Sequence, residues 1–447
     1  MTTGRDRVPA REVLRLAAPA LPVLAAEPLY LLVDTAVVGR LGAVALAGLA
    51  VAGVMFAQVT SQMNFLSYGT TSRAARLHGA GRHGDAVGEG VQATWLALAV
   101  GLLVLGVGQL VARPVAEALG DGGVIADAAT SWLRVALWGA PMVLVTLAGN
   151  GWMRGVQETV RPLRYVIAGN GLSAVLCPLL VHGAGGWGGL GLVGSAFANV
   201  AGQTVGATLF LVALVRAARA DAVSLRPVPA VLRAQLALAR DLLARGLAFQ
   251  ACFLSAAAVA TRFGAASVAA HQIVLQLWFF QALVLDAVAI AAQALVGAAL
   301  GSPDRGAERA RGLAGQVTRY GLALGIGFGV VFAALAGVLP PLFTPDAAVL
   351  AAVPVPWWFF TAMQPIAGVV FALDGVLLGA GDAAFLRTST IVAAVVGFLP
   401  PIWAALAFGW GLAGIWSGLA LFMVIRLVAV GGRARGGHWA VTGAVRS

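Results

Sequence analysis

Apolar runs of about 20 residues or more recur along the whole chain, each separated from the next by a short polar break. They fall near 14–39, 46–76, 88–112, 126–151, 163–182, 188–215, 237–262, 268–299, 314–338, 348–377, 386–408 and 410–430. At 1.5 Å per residue each crosses a hydrocarbon layer of about 30 Å. The pattern predicts an all-α integral membrane protein of about twelve transmembrane helices. The breaks are too short to hold a separate soluble domain.

Composition agrees with the periodicity: 60% of the 447 residues are hydrophobic and 11% are charged. The formal net charge of +11 is the kind of excess that nucleic-acid binders carry, so the positions of the basic residues decide its meaning. All 29 are arginines. With a cytoplasmic N-terminus, only Arg40, Arg113, Arg134 and Arg262 fall outside, and the remaining 25 fall inside. The charge therefore reports topology, with both termini cytoplasmic, and argues against a nucleic-acid partner. Arginine, alanine and glycine in place of lysine point to a GC-rich bacterial genome and so to a bacterial inner membrane. The first run has no small-residue cleavage signal and reads as a retained helix. Cys177 and Cys252 both lie in spans and suggest neither a disulfide framework nor a metal site.

An internal repeat organises the chain further. VVGRLGAVALAGLA (37–50) aligns with VATRFGAASVAAHQ (259–272), placing Arg40 over Arg262 and Gly42 over Gly264, an offset of 222. NGWMRGVQE (150–158) aligns with DGVLLGAGD (374–382), placing Gly155 over Gly379, an offset of 224. Two nearly equal offsets imply a six-plus-six duplication, with an N-lobe at 1–225, a C-lobe at 226–447 and an arginine-rich linker around 216–233. Six helices per repeat keep both lobes in one orientation, and the substrate path of such transporters lies near mid-membrane.

Of the 18 acidic residues, Glu27, Asp34, Asp286 and Asp374 lie within predicted spans. An aspartate at a helix centre costs about 2.5–3.5 kcal/mol on insertion, so each should face protein or a wet cavity. Glu27 and Asp34 are two turns apart, with Tyr30 between them, and form a polar stripe on the first helix. At the repeat offset Asp34 falls on Ala256, so symmetry does not require this carboxylate. Two readings stand: a buried aspartate that locks helices together, or a protonation switch, charged when water or a cation reaches it and neutral when it is dry. Glu27 is either a cavity acid or a group that satisfies a proline break. Pro19, Pro22 and Pro28 are candidate hinges or ordinary kinks. Asp286 shares a face with Gln293 as a second relay or a packing network. Asp374 overlays Asn150 and reads as a helix-end hydrogen-bonding device. Gln58, Gln62, Asn64 and Asn170 are candidates for a cavity lining, although polar residues also join membrane helices without further function.

PLYLLVDTAVVGRLG (28–42), NFLSYGTTSRAARLHGAG (64–81) and ALDGVLLGAGDAAFLR (372–387) resemble the multidrug and toxic compound extrusion (MATE) family, in particular its DinF-like branch. The resemblance covers both halves. It implies a twelve-helix antiporter that exchanges protons, or in some members sodium, for organic cations and amphiphiles, with Asp34 as the central coupling carboxylate. This sequence departs from the pattern at two places. Where some relatives carry Asn and Asp before a proline in the fifth helix, Ser173 and Cys177 precede Pro178; where another branch carries a seventh-helix glutamate, Phe249 and Gln250 stand. Sodium needs several oxygen ligands, so these losses tilt the expectation toward protons.

The expected protein binds small organic cations or amphiphiles within membrane lipid, uses no cofactor, is a monomer and is not an enzyme. Asp34 and Glu27 serve proton coupling; Tyr30, Gln58, Gln62, Asn64, Asn170, Ser173 and Cys177 line the N-lobe cavity; Asp286, Gln293 and Gln250 form a C-lobe polar site. The alternatives are a flippase for a lipid-linked precursor, which would line its cleft with arginines, and a membrane enzyme subunit, for which no nucleophile, metal or haem constellation is visible.

Overall fold

The computed structural model describes residues 10–119 and 123–444. Arg5, Arg7 and Arg446 of the inside tally lie outside the described residues. Among those described, 12 helices are long and apolar enough to cross a membrane: α1 Arg11–Gly39, α2 Ala43–Gly79, α3 His83–Leu119, α4 Gly123–Gly155, α5 Val160–His182, α6 Leu192–Ala220, α7 Pro229–Phe263, α8 Ala265–Gly301, α9 Gly306–Ala334, α10 Pro354–Gly379, α11 Ala383–Phe408 and α12 Gly411–Gly436.

Several helices outrun the apolar runs that predict them. The first turns of α3, HGDAVGEG, are polar and helical, because hydropathy marks the stretch that lipid contacts and not the helix. A short helix, Ala347–Ala352, precedes α10, capped by the Asp346 carboxylate accepting from the Ala348 and Val349 amides. The helix α1 runs through Pro19, Pro22 and Pro28 without a break. The helix α2 is interrupted at Met63–Asn64.

The chain divides into two compact units: Ala18–Ala239, and the described parts of Met1–Ala17 with Arg240–Ser447. In the first unit α3 packs on α4, α2 on α4, and α5 on α6; in the second α9 packs on α10, α8 on α10, and α10 on α12.

The turns carry the repeat in their backbone. Gly42 and Gly264, 222 apart, open α2 and α8 with φ of 113° and 89° and extended ψ, a conformation that a side chain would strain. Gln157 and Gly381, 224 apart, are both left-handed, as are Gly81 and Arg305, also 224 apart.

Helix packing repeats too. A Cβ on Gly151 of α4 would lie 2.5 Å from the Ser67 carbonyl oxygen, and one on Gly155 would lie 2.6 Å from the Ala74 side chain. In the other unit Gly375 and Gly379 of α10 press against the backbone of Ala289 and Gln293 of α8 in the same way. Small residues four apart let two backbones touch, which is how helices gain contact where lipid supplies no hydrophobic drive.

Candidate ion-coupling site

Asp34, on α1 of the first unit, is fully buried. Its surroundings are mostly apolar: Val38, Leu49, Phe56, Trp132, Cys177 and Val181 belong to one buried cluster. The Cys177 thiol, on α5 one residue before Pro178, donates to Asp34 Oδ1 at 3.3 Å. Ser195 of α6 lies beside the same carboxylate. Its oxygen accepts from Trp132 Nε1 of α4 at 2.9 Å, which leaves the hydroxyl proton free to turn toward Asp34. The second oxygen, Asp34 Oδ2, is buried with no hydrogen-bond partner. Among the described residues, the side chains that act on it are those of Ser195 and Cys177, not an arginine.

Tyr30, one turn earlier on α1, is also buried and lies within electrostatic reach of Asp34 and beside Asn199 of α6. His182, at the end of α5, meets the Val37 carbonyl at 3.1 Å. Three helices, α1, α5 and α6, therefore meet at one carboxylate, and Trp132 of α4 holds Ser195 from behind. The carboxylate is held at one oxygen and open at the other, and such an atom can take a proton without breaking a bond.

The structure brings Asp34, Tyr30 and Cys177 together and sets several of the other candidate residues apart. Glu27 is exposed in the protein alone, yet it lies within electrostatic reach of Asp34 and Tyr30. Ser173 donates to the Ala198 carbonyl at 3.1 Å, pinning α5 to α6, and does not bond Asp34. Its oxygen fills the space left by Gly202. Asn64 donates to the Ser61 carbonyl at 3.2 Å within the α2 interruption. Gln58, Gln62 and Asn170 are half-buried, and the hydrogen bonds of Asp34 reach none of the three. Ser195, Asn199 and Trp132 escaped the sequence reading. The signal was there in part, since LVGSAFANVAG places Ser195 and Asn199 one turn apart in an apolar helix.

The MatE family model matches the chain twice, over residues 19–179 and 243–403. The chain belongs to the MatE family. The two matches begin 224 residues apart (243 against 19), the spacing of the repeat itself. The chain is 34% identical to Protein DETOXIFICATION 44, chloroplastic, of Arabidopsis thaliana, over 96% of this chain and 83% of that one. It is 28% identical to DNA damage-inducible protein F of Escherichia coli (strain K12), over 94% and 91%. Among solved structures, a MATE crystal structure in the bent conformation superposes with a TM-score of 0.85 at 21% identity, covering 98% of this chain and 96% of that one. A MOP superfamily transporter from Pyrococcus furiosus does so with 0.83 at 20% identity, over the full length of both. The chain is thus a multi-pass MatE-family transporter of the multidrug and toxic compound efflux type.

The second unit of this MatE protein has a different polar centre. Gln293 is buried where α8 meets Gly379, and Asp286 and Gln250 are half-buried on α8 and α7. Asp374 corrects the helix-end reading. It lies inside α10, buried, and both its oxygens accept from Arg426 Nη2 of α12, the Oδ1 bond being 2.6 Å. Its Oδ2 also accepts from Arg245 Nη2 of α7 at 2.6 Å. Arg426, at 2% exposure, adds a buried cation to the acids found within the spans. Its place near the end of a span made it look like a topology marker, because hydropathy cannot tell a snorkelling arginine from one turned inward.

Proposed function

We propose that this protein is a secondary antiporter that exports cationic or amphiphilic organic compounds in exchange for protons, with Asp34 as the coupling group. The observation that carries this reading is the Asp34 carboxylate, buried where α1, α5 and α6 meet, with Oδ1 held by Cys177 and Oδ2 unpartnered. Ionised, it attracts a cation into an apolar, aromatic setting, where the attraction is stronger than in water. Protonated, it loses that attraction and releases the cation. A ligand drives a conformational change only through its different affinity for the two states, and one carboxylate that changes charge supplies such a difference. Alternation between inward- and outward-open states then links proton entry to substrate exit.

The ligand set favours protons over sodium. Sodium wants several hard oxygens, and the position next to Asp34 that an oxygen would fill is a thiol. The arginine asymmetry supports an orientation with both termini in the cytoplasm, in a bacterial inner membrane.

The test is substrate efflux from liposomes under an imposed pH gradient, with and without sodium, comparing wild type with Asp34→Asn. Wild type should respond to the pH gradient in the absence of sodium, and the variant should not. Undiminished proton-driven efflux by the variant overturns the assignment.

A further inference from the structure

The Asp374 cluster carries more positive charge than it neutralises. Two guanidinium groups, Arg245 and Arg426, share one carboxylate. The charges that bear on Arg426 are those of Asp374 and Arg245. Nearby acids are engaged elsewhere: Asp241 pairs with Arg387 at 2.5 Å and Asp382 with Arg433 at 2.8 Å. The Nε atoms of Arg245 and Arg426 are buried without hydrogen-bond partners. Both cations also lie over Phe249, with Cζ to ring-centroid distances of 5.6 and 5.2 Å, and Arg426 lies 5.7 Å from Phe422. Aromatic faces soften the repulsion between two like charges, but they supply no anion.

A lone Arg–Asp pair would have served to join α10 and α12. The repeat shows that even this is optional, since the residue 224 positions before Asp374 is Asn150, which is uncharged and buried. Adding Arg245 from α7 makes the group net positive in surroundings of low dielectric. A buried excess charge is costly unless a counter-ion joins it. The guanidinium fork, with unused N–H groups in one plane, fits the two oxygens of a carboxylate or phosphate. Arg245 keeps 15% of its side chain exposed and so gives the cluster an accessible edge.

We propose that Arg245 and Arg426, bridged by Asp374, form an anion site in the second unit that takes an oxyanion bearing an apolar or aromatic body against Phe249. The oxyanion is either a soluble carboxylate or the headgroup of an acidic lipid; the recognising chemistry is the same. This site shares no residue with that of Asp34 and does not depend on which ion drives transport.

The test uses the full-length protein in nanodiscs of phosphatidylcholine, titrated with radiolabelled benzoate at constant ionic strength set by chloride. A parallel arm replaces part of the lipid with phosphatidylglycerol and measures its retention on the protein. Saturable binding in either arm is expected, and the arm in which it appears identifies the source. Arg245→Gln leaves a balanced Arg426–Asp374 pair, so the fold should persist while affinity falls at least tenfold. Asp374→Asn removes the competing carboxylate and should tighten binding several-fold. No saturable binding in either arm, or an Arg245→Gln protein that binds like wild type, overturns the proposal. If Asp374→Asn does not fold, the Arg245→Gln comparison remains decisive.

Discussion

The thiol of Cys177 and the carboxylate of Asp34 are hydrogen-bonded at 3.3 Å across α5 and α1, with the thiol as donor. A thiol is a weak donor, so the bond steadies the ionised carboxylate without the strength of a hydroxyl or an arginine. Cys177→Ala should remove that support and weaken organic-cation binding by a few-fold, about 1 kcal/mol. Cys177→Ser should retain most of the wild-type affinity. Equilibrium binding of a fluorescent cation to the detergent-solubilised protein at fixed pH distinguishes the two.

Trp132→Phe keeps a ring edge against Phe56, at a centroid distance of 6.1 Å in the wild type, and deletes the donor to Ser195. The loss of one buried hydrogen bond predicts a fall in stability of about 0.5–1.5 kcal/mol, read as a lower thermal midpoint. Ser195, freed from Trp132, should also alter cation binding at Asp34, whereas a purely structural bond would leave binding unchanged.

Gly151→Leu and Gly375→Leu introduce side chains where α4 touches α2 and where α10 touches α8. Each should cost about 1–3 kcal/mol or more, because a backbone and not a flexible side chain stands in the way. Similar losses from two residues 224 apart, measured by thermal unfolding of each variant, would follow from a shared contact. A tolerated substitution at either site would contradict the close approach.

Gly42→Ala and Gly264→Ala strain positive-φ turns and should each cost about 1–3 kcal/mol. Gly53→Ala, in the interior of α2 with open space around it, should instead be neutral or gain up to about 1 kcal/mol. The contrast in thermal midpoint tests backbone strain directly.

Much of the architecture was legible before any coordinates. Apolar run lengths located all twelve helices, because a membrane permits few ways to satisfy a backbone and hydropathy records which one is used. Helix ends were less legible, as in α3, since a polar helical turn outside the lipid has no hydropathy signature. The candidate site was legible at its centre and not at its rim. Asp34 stood out through its cost, and Cys177 through its place before Pro178. Trp132, Ser195 and Asn199 did not, since tryptophan, serine and asparagine in a membrane helix have many ordinary uses.

The sequence alone determined the number of helices, their duplication and the presence of an acid in α1 that its repeat partner lacks. These follow from composition and spacing, which act along the chain. Only the tertiary structure decided which polar groups meet. It brought Cys177 and Ser195 to Asp34, turned Ser173 away to the Ala198 carbonyl, and drew Arg245 and Arg426 onto Asp374. Those choices rest on the rotation of each helix about its axis, which is set by close glycine contacts and side-chain packing between segments far apart in sequence.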